Sequence, residues 1–297
     1  VGLGIDGLLL VNKPTGLTSN AVLQQVKRLY KAKKAGHTGS LDPLATGMLP
    51  LCFGEATKFS QYLLDADKCY EVTGCLGIKT NTADSMGEII SSTDSFTVSE
   101  DELTSVLSRF AGPILQVPSM FSALKHQGKP LYKYAREGID IERPAREVTI
   151  HKLVLNQFDG RFFSLTVTCS KGTYIRNLVE DIGEQLGVGA HVTRLHRLYT
   201  AGLSEELMFP LDSLLGENET ELLSHLLPID RAVSYLPKIT IDLNTTGLLR
   251  QGKIISDLPL KGIKGGVRLY LNGKDFIGLG DVIEGDVLKV RRLLAAP

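Results

Sequence analysis

The chain has 297 residues, 43% hydrophobic and 22% charged, and its 33 Lys and Arg are offset by 33 Asp and Glu. That length buries a substantial core as one large or two modest domains, with the composition of an ordinary soluble globular protein. No stretch approaches the roughly 18 continuous apolar residues of a membrane span, and the N-terminal VGLGIDGLLLVNKP lacks the basic start and long apolar core of a secretory signal.

The neutral total hides local asymmetry. Residues 1–60 carry seven Lys and Arg against three acids, 205–230 carry seven acids and no Lys or Arg, and 247–297 carry nine basic against five acidic residues. Local basic faces are what a phosphate backbone feels, so nucleic acid stays open as a partner. Cys52, Cys69, Cys75 and Cys169 form no CxxC pair and sit among apolar residues. They read as buried, reduced thiols of a cytoplasmic protein rather than a disulfide framework or zinc site.

In chain order, residues 8–11 (LLLV) are an apolar run stopped by Asn12-Lys13-Pro14-Thr15-Gly16, a buried strand followed by a turn. Ser19 is placed to cap the next helix, whose apolar face is Val22, Val26, Leu29 and Tyr30. Its basic run, Lys27, Arg28, Lys31, Lys33 and Lys34, falls toward the C-terminal end, where the dipole favours cations. Next comes GHTGSLDPLATGMLP (36–50), with three glycines, two prolines, one histidine and a single carboxylate, Asp42. Pro43 biases Asp42 toward extended backbone, and the glycines permit turns and close approach of a ligand. The competing reading is a helix start, with Asp42 as N-cap and Pro43 in the first turn. A cap uses one or two residues, not fifteen in this order.

Beyond the loop, Ala56, Phe59 and Leu63 mark a helix, and 68–78 alternates with Tyr70, Val72, Gly74, Leu76 and Ile78 inward, as a strand does. Ser99 and Glu102 form a capping box ahead of Leu103, Val106, Leu107 and Phe110. Residues 118–138 interleave Lys125, Lys129, Lys133 and Arg136 with Phe121, Tyr132 and Tyr134. The pattern fits an RNA surface where rings stack on bases and cations meet phosphates, and equally a solvated helix with snorkelling lysines. Alternating runs at 148–158 and 162–169 flank Asp159-Gly160-Arg161, a hairpin. The second run enters KGTYIR and then a helix with Ile175, Leu178, Val179 and Ile182 inward. Tyr174 and Arg176 thus stand at a strand-to-helix junction, where an arginine fork suits a carboxylate; an ordinary surface pair is the alternative. Residues 205–230 read as an acidic, helix-containing connector. From about Gly247, short apolar runs and Gly-rich turns suggest a small β-rich barrel of about 50 residues.

The string GHTGSLDPLATGMLPLCFGEATKFSQYLLDADKCYEV closely resembles the central motif of the TruB tRNA pseudouridine synthases, and KGTYIRNLVEDIG resembles a second motif of that family. The likeness runs from about Gly7 to about Gly202 and weakens beyond. It implies an α+β fold with a mixed or antiparallel central sheet flanked by helices. The catalytic unit would span 1–235, with an RNA-gripping insertion at about 118–145, and a PUA-like RNA-binding β-barrel would span 236–297. It further implies that Asp42 is the nucleophile, that Arg176 pairs with it, and that Tyr70 packs on the flipped base and takes a proton. Tyr174 and Leu195 would line the base pocket, His37 would contact the flipped nucleotide, the Lys13-Pro14 region would support the site from below, and Lys125, Lys129, Lys133 and Arg136 would meet RNA. Leu203 departs from the family, many of whose members carry an aromatic there.

The activity so implied is conversion of the T-loop uridine of tRNA, U55, to pseudouridine by a monomeric cytoplasmic enzyme. No electron or group is gained or lost, so the resemblance implies no cofactor and no metal. Accordingly the chain has no P-loop, Rossmann fingerprint or HExxH spacing. The target base must be extruded from its stack. Arg176 is expected to keep Asp42 ionised by lowering its pKa, whether the carboxylate attacks C1′ or takes a proton from C2′. Two other readings are a guide-RNA-dependent pseudouridine synthase and a tRNA-folding chaperone without catalysis; the wording of the motifs and the lack of long basic tails weigh against the first.

Overall fold

The computed structural model describes residues 4–256, 258–260, 262–284 and 286–296. The apolar run at the start forms strand β1 (Gly7–Lys13). Leu9 and Val11 enter one core and Leu8 and Leu10 another, because successive side chains of a strand point to opposite faces and both faces are covered. Helix α1 (Ser19–Leu29), strands β2 (Ala35–His37) and β3 (Thr46–Phe53), helix α2 (Ser60–Asp65) and strand β4 (Lys68–Leu76) follow. Then come α3 (Glu100–Ser108), β5 (Gly112–Gln116), α4 (Leu131–Arg136), β6 (Arg146–Phe158), β7 (Phe162–Cys169), α5 (Ile175–Gln185), β8 (Ala190–Thr200) and β9 (Phe209–Pro210).

These strands make one nine-stranded mixed sheet in the order β9-β1-β3-β8-β4-β7-β6-β5, with β2 added on β3. The β8–β3 and β1–β9 pairs are parallel and the rest antiparallel. Val22 and Val26 of α1, Leu103 and Leu107 of α3, and Leu178 and Ile182 of α5 cover one face. Each such side chain contributes about 1.5–3 kcal/mol by leaving water. On the other face, Phe59, Leu63, Ala232, Val233 and Leu279 pack on Leu8, Leu10 and Met48.

The capping box at Ser99 and Glu102 is present, and Asp159 turns the β6–β7 hairpin by accepting from the amides of Arg161 and Phe162. Two local expectations are corrected. Thr18, not Ser19, caps α1, accepting from the Ala21 amide; this frees Ser19 to bond both backbone groups of Leu41. The C-terminal strands β10 (Lys238–Ile241), β11 (Gly265–Leu271), β12 (Asp275–Ile283) and β13 (Val287–Leu293), with α6 (Leu243–Arg250) between the first two, form an open four-stranded sheet rather than a closed barrel. Among the described residues β10 pairs only with β11, so the two edges of this sheet do not meet. Among the described residues no helix is long and apolar enough to cross a membrane. The four cysteines are free and buried.

One glycine of the motif is fixed by this packing. At Gly47, φ is +101° and a Cβ would lie 2.2 Å from the backbone oxygen of Arg197, its neighbour on β8. Gly47→Ala is therefore expected to lose about 3–5 kcal/mol of stability to urea, combining left-handed strain with a clash against backbone that cannot swing away. Gly16→Ala, with φ +89° but nothing within 4 Å, should lose only about 1–2 kcal/mol. Equal losses at the two positions would contradict this account.

Candidate active site

Asp42 lies on the loop between β2 and β3, and no helix begins there. The loop is held from behind. Lys13, fully buried at the end of β1, donates to the carbonyls of Pro14 at 2.8 Å, Leu17 at 2.6 Å and Pro43 at 3.3 Å. Gly16 donates its amide to Pro43, Thr15 its hydroxyl to Leu44, and Ser19 clasps Leu41. Burial pulls the Lys13 ammonium down to about 8, while the Asp42 carboxylate pulls the other way.

Arg176, 5% exposed, enters from the first turn of α5. Its Nε meets Oδ2 of Asp42 at 2.8 Å and its terminal nitrogen meets Oδ1 at 3.1 Å, a two-pronged contact. The remaining donors reach the Thr82 carbonyl at 2.9 Å and the Phe121 carbonyl at 2.7 Å. Asp84, also buried, stands 3.8 Å from the guanidinium and is oriented by the Thr82 hydroxyl and the Met86 amide. Asp84 carried no signal in the sequence, lying in a polar turn with no motif around it.

Asp42 turns the open part of its side chain to a cavity of about 370 Å³, whose walls include Tyr70, Tyr174, Arg176 and Leu195. Four expected site residues thus come together with the aspartate. Tyr70 is buried on β4, directly opposite Arg197 of β8. Arg197, 1% exposed, donates from Nε to the Met48 carbonyl and from a terminal nitrogen to the Gly39 carbonyl, both at 2.7 Å. It therefore ties both ends of the loop beside Tyr70. Burial raises the Tyr70 hydroxyl above its ordinary range, and the hydrogen-bonded Arg197 cation opposes that rise. Tyr174 is set by the buried Gln116 amide, which bonds both the Tyr174 N–H and its carbonyl. Lys68 completes this wall, its ammonium donating to the carbonyls of Leu63, Leu64 and Ala66.

His37 is not brought to the cavity wall. It ends β2, half-buried, with Nδ1 enclosed and unpartnered; burial and the Arg197 cation lower its pKa. Lys125 and Lys129 sit on a small hairpin (Lys125–His126 with Lys129–Pro130), and Lys133 and Arg136 on α4. None of the four lines the cavity, although Ser122, Ala123 and Leu124 just before them do. Lys129 is paired with Glu137 and lies over the Tyr134 ring, while Arg136 lies over Tyr132.

Family models match three consecutive stretches: the "TruB family pseudouridylate synthase (N terminal domain)" over residues 27–175, the "tRNA pseudouridylate synthase B C-terminal domain" over 176–234, and "Pseudouridine synthase II TruB, C-terminal" over 237–294. The chain belongs to the TruB family. Among relatives in the family, the tRNA pseudouridine synthase B of Legionella pneumophila (strain Philadelphia 1) is 57% identical over 98% of this chain and 96% of its own. That of Tolumonas auensis is 51% identical over 99% and 93%. The solved structure "Crystal Structure of a Cbf5-Nop10-Gar1 Complex" aligns with a TM-score of 0.73 at 26% identity, over 97% of this chain and 84% of that one.

The electrostatics of Asp42 correct one expectation. Arg176 does pull the carboxyl down, but burial outweighs it and Asp84 adds to the rise, so the net shift is upward. A carboxyl raised in the fold is charged at a cost, present in full above the folded pKa and relieved as pH falls through it. Asp42→Asn keeps the shape without the charge. Losing the partner of Arg176 sets the variant's offset from the parent. Its urea resistance relative to the parent should nevertheless decline as pH is lowered from about pH 8 toward about pH 5, because the parent alone sheds a strained charge. A variant that gains on the parent on acidification would reverse the sign.

Proposed function

We propose that this chain converts U55 in the T loop of tRNA to pseudouridine, with Asp42 as the nucleophile. The observation that supports it most is the placement of one carboxylate, gripped by a buried arginine, in a cavity shared with two tyrosines. Uridine in a folded T arm is shielded by stacking, so the nucleotide is swung out at a cost of a few kcal/mol, offset by contacts elsewhere. In this reading the extruded base lies against Tyr70, with Leu195 and Tyr174 completing the slot, and the ribose faces Asp42. Attack at C1′ and removal of a C2′ proton both start from the ionised carboxylate, which Arg176 aims. The freed uracil turns, C5 joins C1′, and Tyr70 helps remove the C5 proton as N1 gains one, so no net proton is lost.

The same reading divides the chain into a catalytic unit over 1–235 and an RNA-binding PUA-like unit over 236–297. It assigns Lys125, Lys129, Lys133 and Arg136 to RNA phosphates and bases, gives His37 a contact to the nucleotide as it leaves the stack, and takes the protein as a cytoplasmic monomer.

Asp42→Asn is expected to bind a tRNA transcript nearly as well as the parent while tritium release from C5-labelled uridine falls at least about 10³-fold. The parent should act on that unmodified transcript without any guide RNA. Turnover by the variant, or a need for a guide, would refute the assignment.

A further inference from the structure

Two cations on the cavity wall, Lys68 and Arg197, form no ion pair among the described residues. They contrast with Arg176, which faces both Asp42 and Asp84. Lys68 is 7% exposed and Arg197 1%. Their donors go to neutral groups: the carbonyls of Leu63, Leu64 and Ala66 for the lysine, and those of Gly39 and Met48, with the Tyr70 hydroxyl, for the arginine. Neutral groups satisfy hydrogen bonds without cancelling charge, and Asp65 and Asp67 act on Lys68 only from beyond ion-pair distance. Neither cation therefore has a paired anion in a region where isolated charge is costly.

The isomerisation supplies the missing charge. When the C1′–N1 bond breaks, its electron pair stays on the base, which becomes a uracil anion delocalised over N1, O2 and O4. Asp42 loses its own negative charge in that step, either by bonding C1′ or by taking the C2′ proton. One negative charge therefore leaves the Asp42–Arg176 corner and appears on the base beside Tyr70. It returns to Asp42 when C5 joins C1′, because the carboxylate is then displaced or gives its proton back.

We propose that Lys68 and Arg197 form a fixed cationic wall that stabilises the departing uracil anion. The inference rests on the isomerase reading and adds to it electrostatic catalysis aimed at the leaving group. Charges already in place strengthen the transition state without reorganising at the moment of reaction. The wall is rigid: Arg197 sits in the β8–β4 ladder opposite Tyr70, and Lys68 opens β4 two residues before it. Burial pulls the Lys68 ammonium down to about 8, so an anion formed alongside favours its charged form.

The test compares two leaving groups in single-turnover reactions on a T-arm RNA carrying either uridine or 5-fluorouridine at the target. Loss of the N1-linked nucleoside after digestion is the readout. Fluorine withdraws electrons and stabilises the free anion, so cleavage of the fluorinated nucleotide leans less on the wall. Lys68→Gln and Arg197→Gln, which keep a donor for the carbonyls, should each slow cleavage of uridine by about 10- to 100-fold and that of 5-fluorouridine by a clearly smaller factor. The ratio is taken within one preparation, so a reduced folded fraction cancels. Arg194→Gln, on the same strand but outside this cavity and paired with Glu71, should leave the ratio unchanged. Equal slowing of both substrates in both variants would overturn the proposal. A parent that cleaves neither would overturn the isomerase reading instead.

Discussion

The two-pronged contact between Arg176 and Asp42 joins segments 134 residues apart in sequence and draws in most of what surrounds the site. One guanidinium collects the aspartate loop, the turn at Thr82 and Asp84, and the backbone of Phe121. These three pieces approach the cavity from different parts of the fold, and bonding to all of them together offsets the cost of burying the cation. The central sheet makes this possible: β3 and β4 bring the aspartate loop and Tyr70 to either side of β8, and α5 delivers Arg176 across its face. Lys13 and Arg197 then hold the loop from opposite ends.

This concentration of charge costs stability, and the direction of each shift says so. Burial raises Asp42 and lowers Lys13 and Lys68. A site in which the charged forms are held against solvation is preorganised for a reaction that moves charge, at the expense of the resting fold. The glycines of the loop around Asp42 answer to geometry. Gly47 lets β8 pass, and a Cβ at Gly39 would crowd the Arg197 guanidinium at 3.3 Å.

What could be read from the residues follows the reach of each signal. Local chemistry marked the capping box at Ser99, the hairpin at Asp159 and the apolar run of β1, since each depends on neighbours a few residues apart. Asp42 and Arg176 were legible only as parts of long motifs; nothing near either names its partner. Arg197 escaped because no signal from its sequence neighbours marks it; its burial comes from β3 and β4, which flank its strand. Thr18 rather than Ser19 became the cap because Ser19 was claimed by Leu41, 22 residues on. The open C-terminal sheet differs from the expected barrel for a similar reason. Strand alternation says where strands are, not whether the first meets the last.

In the proposed reaction a uridine leaves its stack to lie between Tyr70 and Leu195, with its sugar against the Asp42 carboxylate. A crystal structure with a T-arm stem-loop bearing 5-fluorouridine at the target tests it most directly. The base is expected in the Tyr70 slot, with Arg176 still clasping Asp42 and a carboxylate oxygen in contact with C1′ or the C2′ hydrogen. A base retained in the loop stack, or seated in another cavity with Asp42 turned away from the sugar, would contradict it.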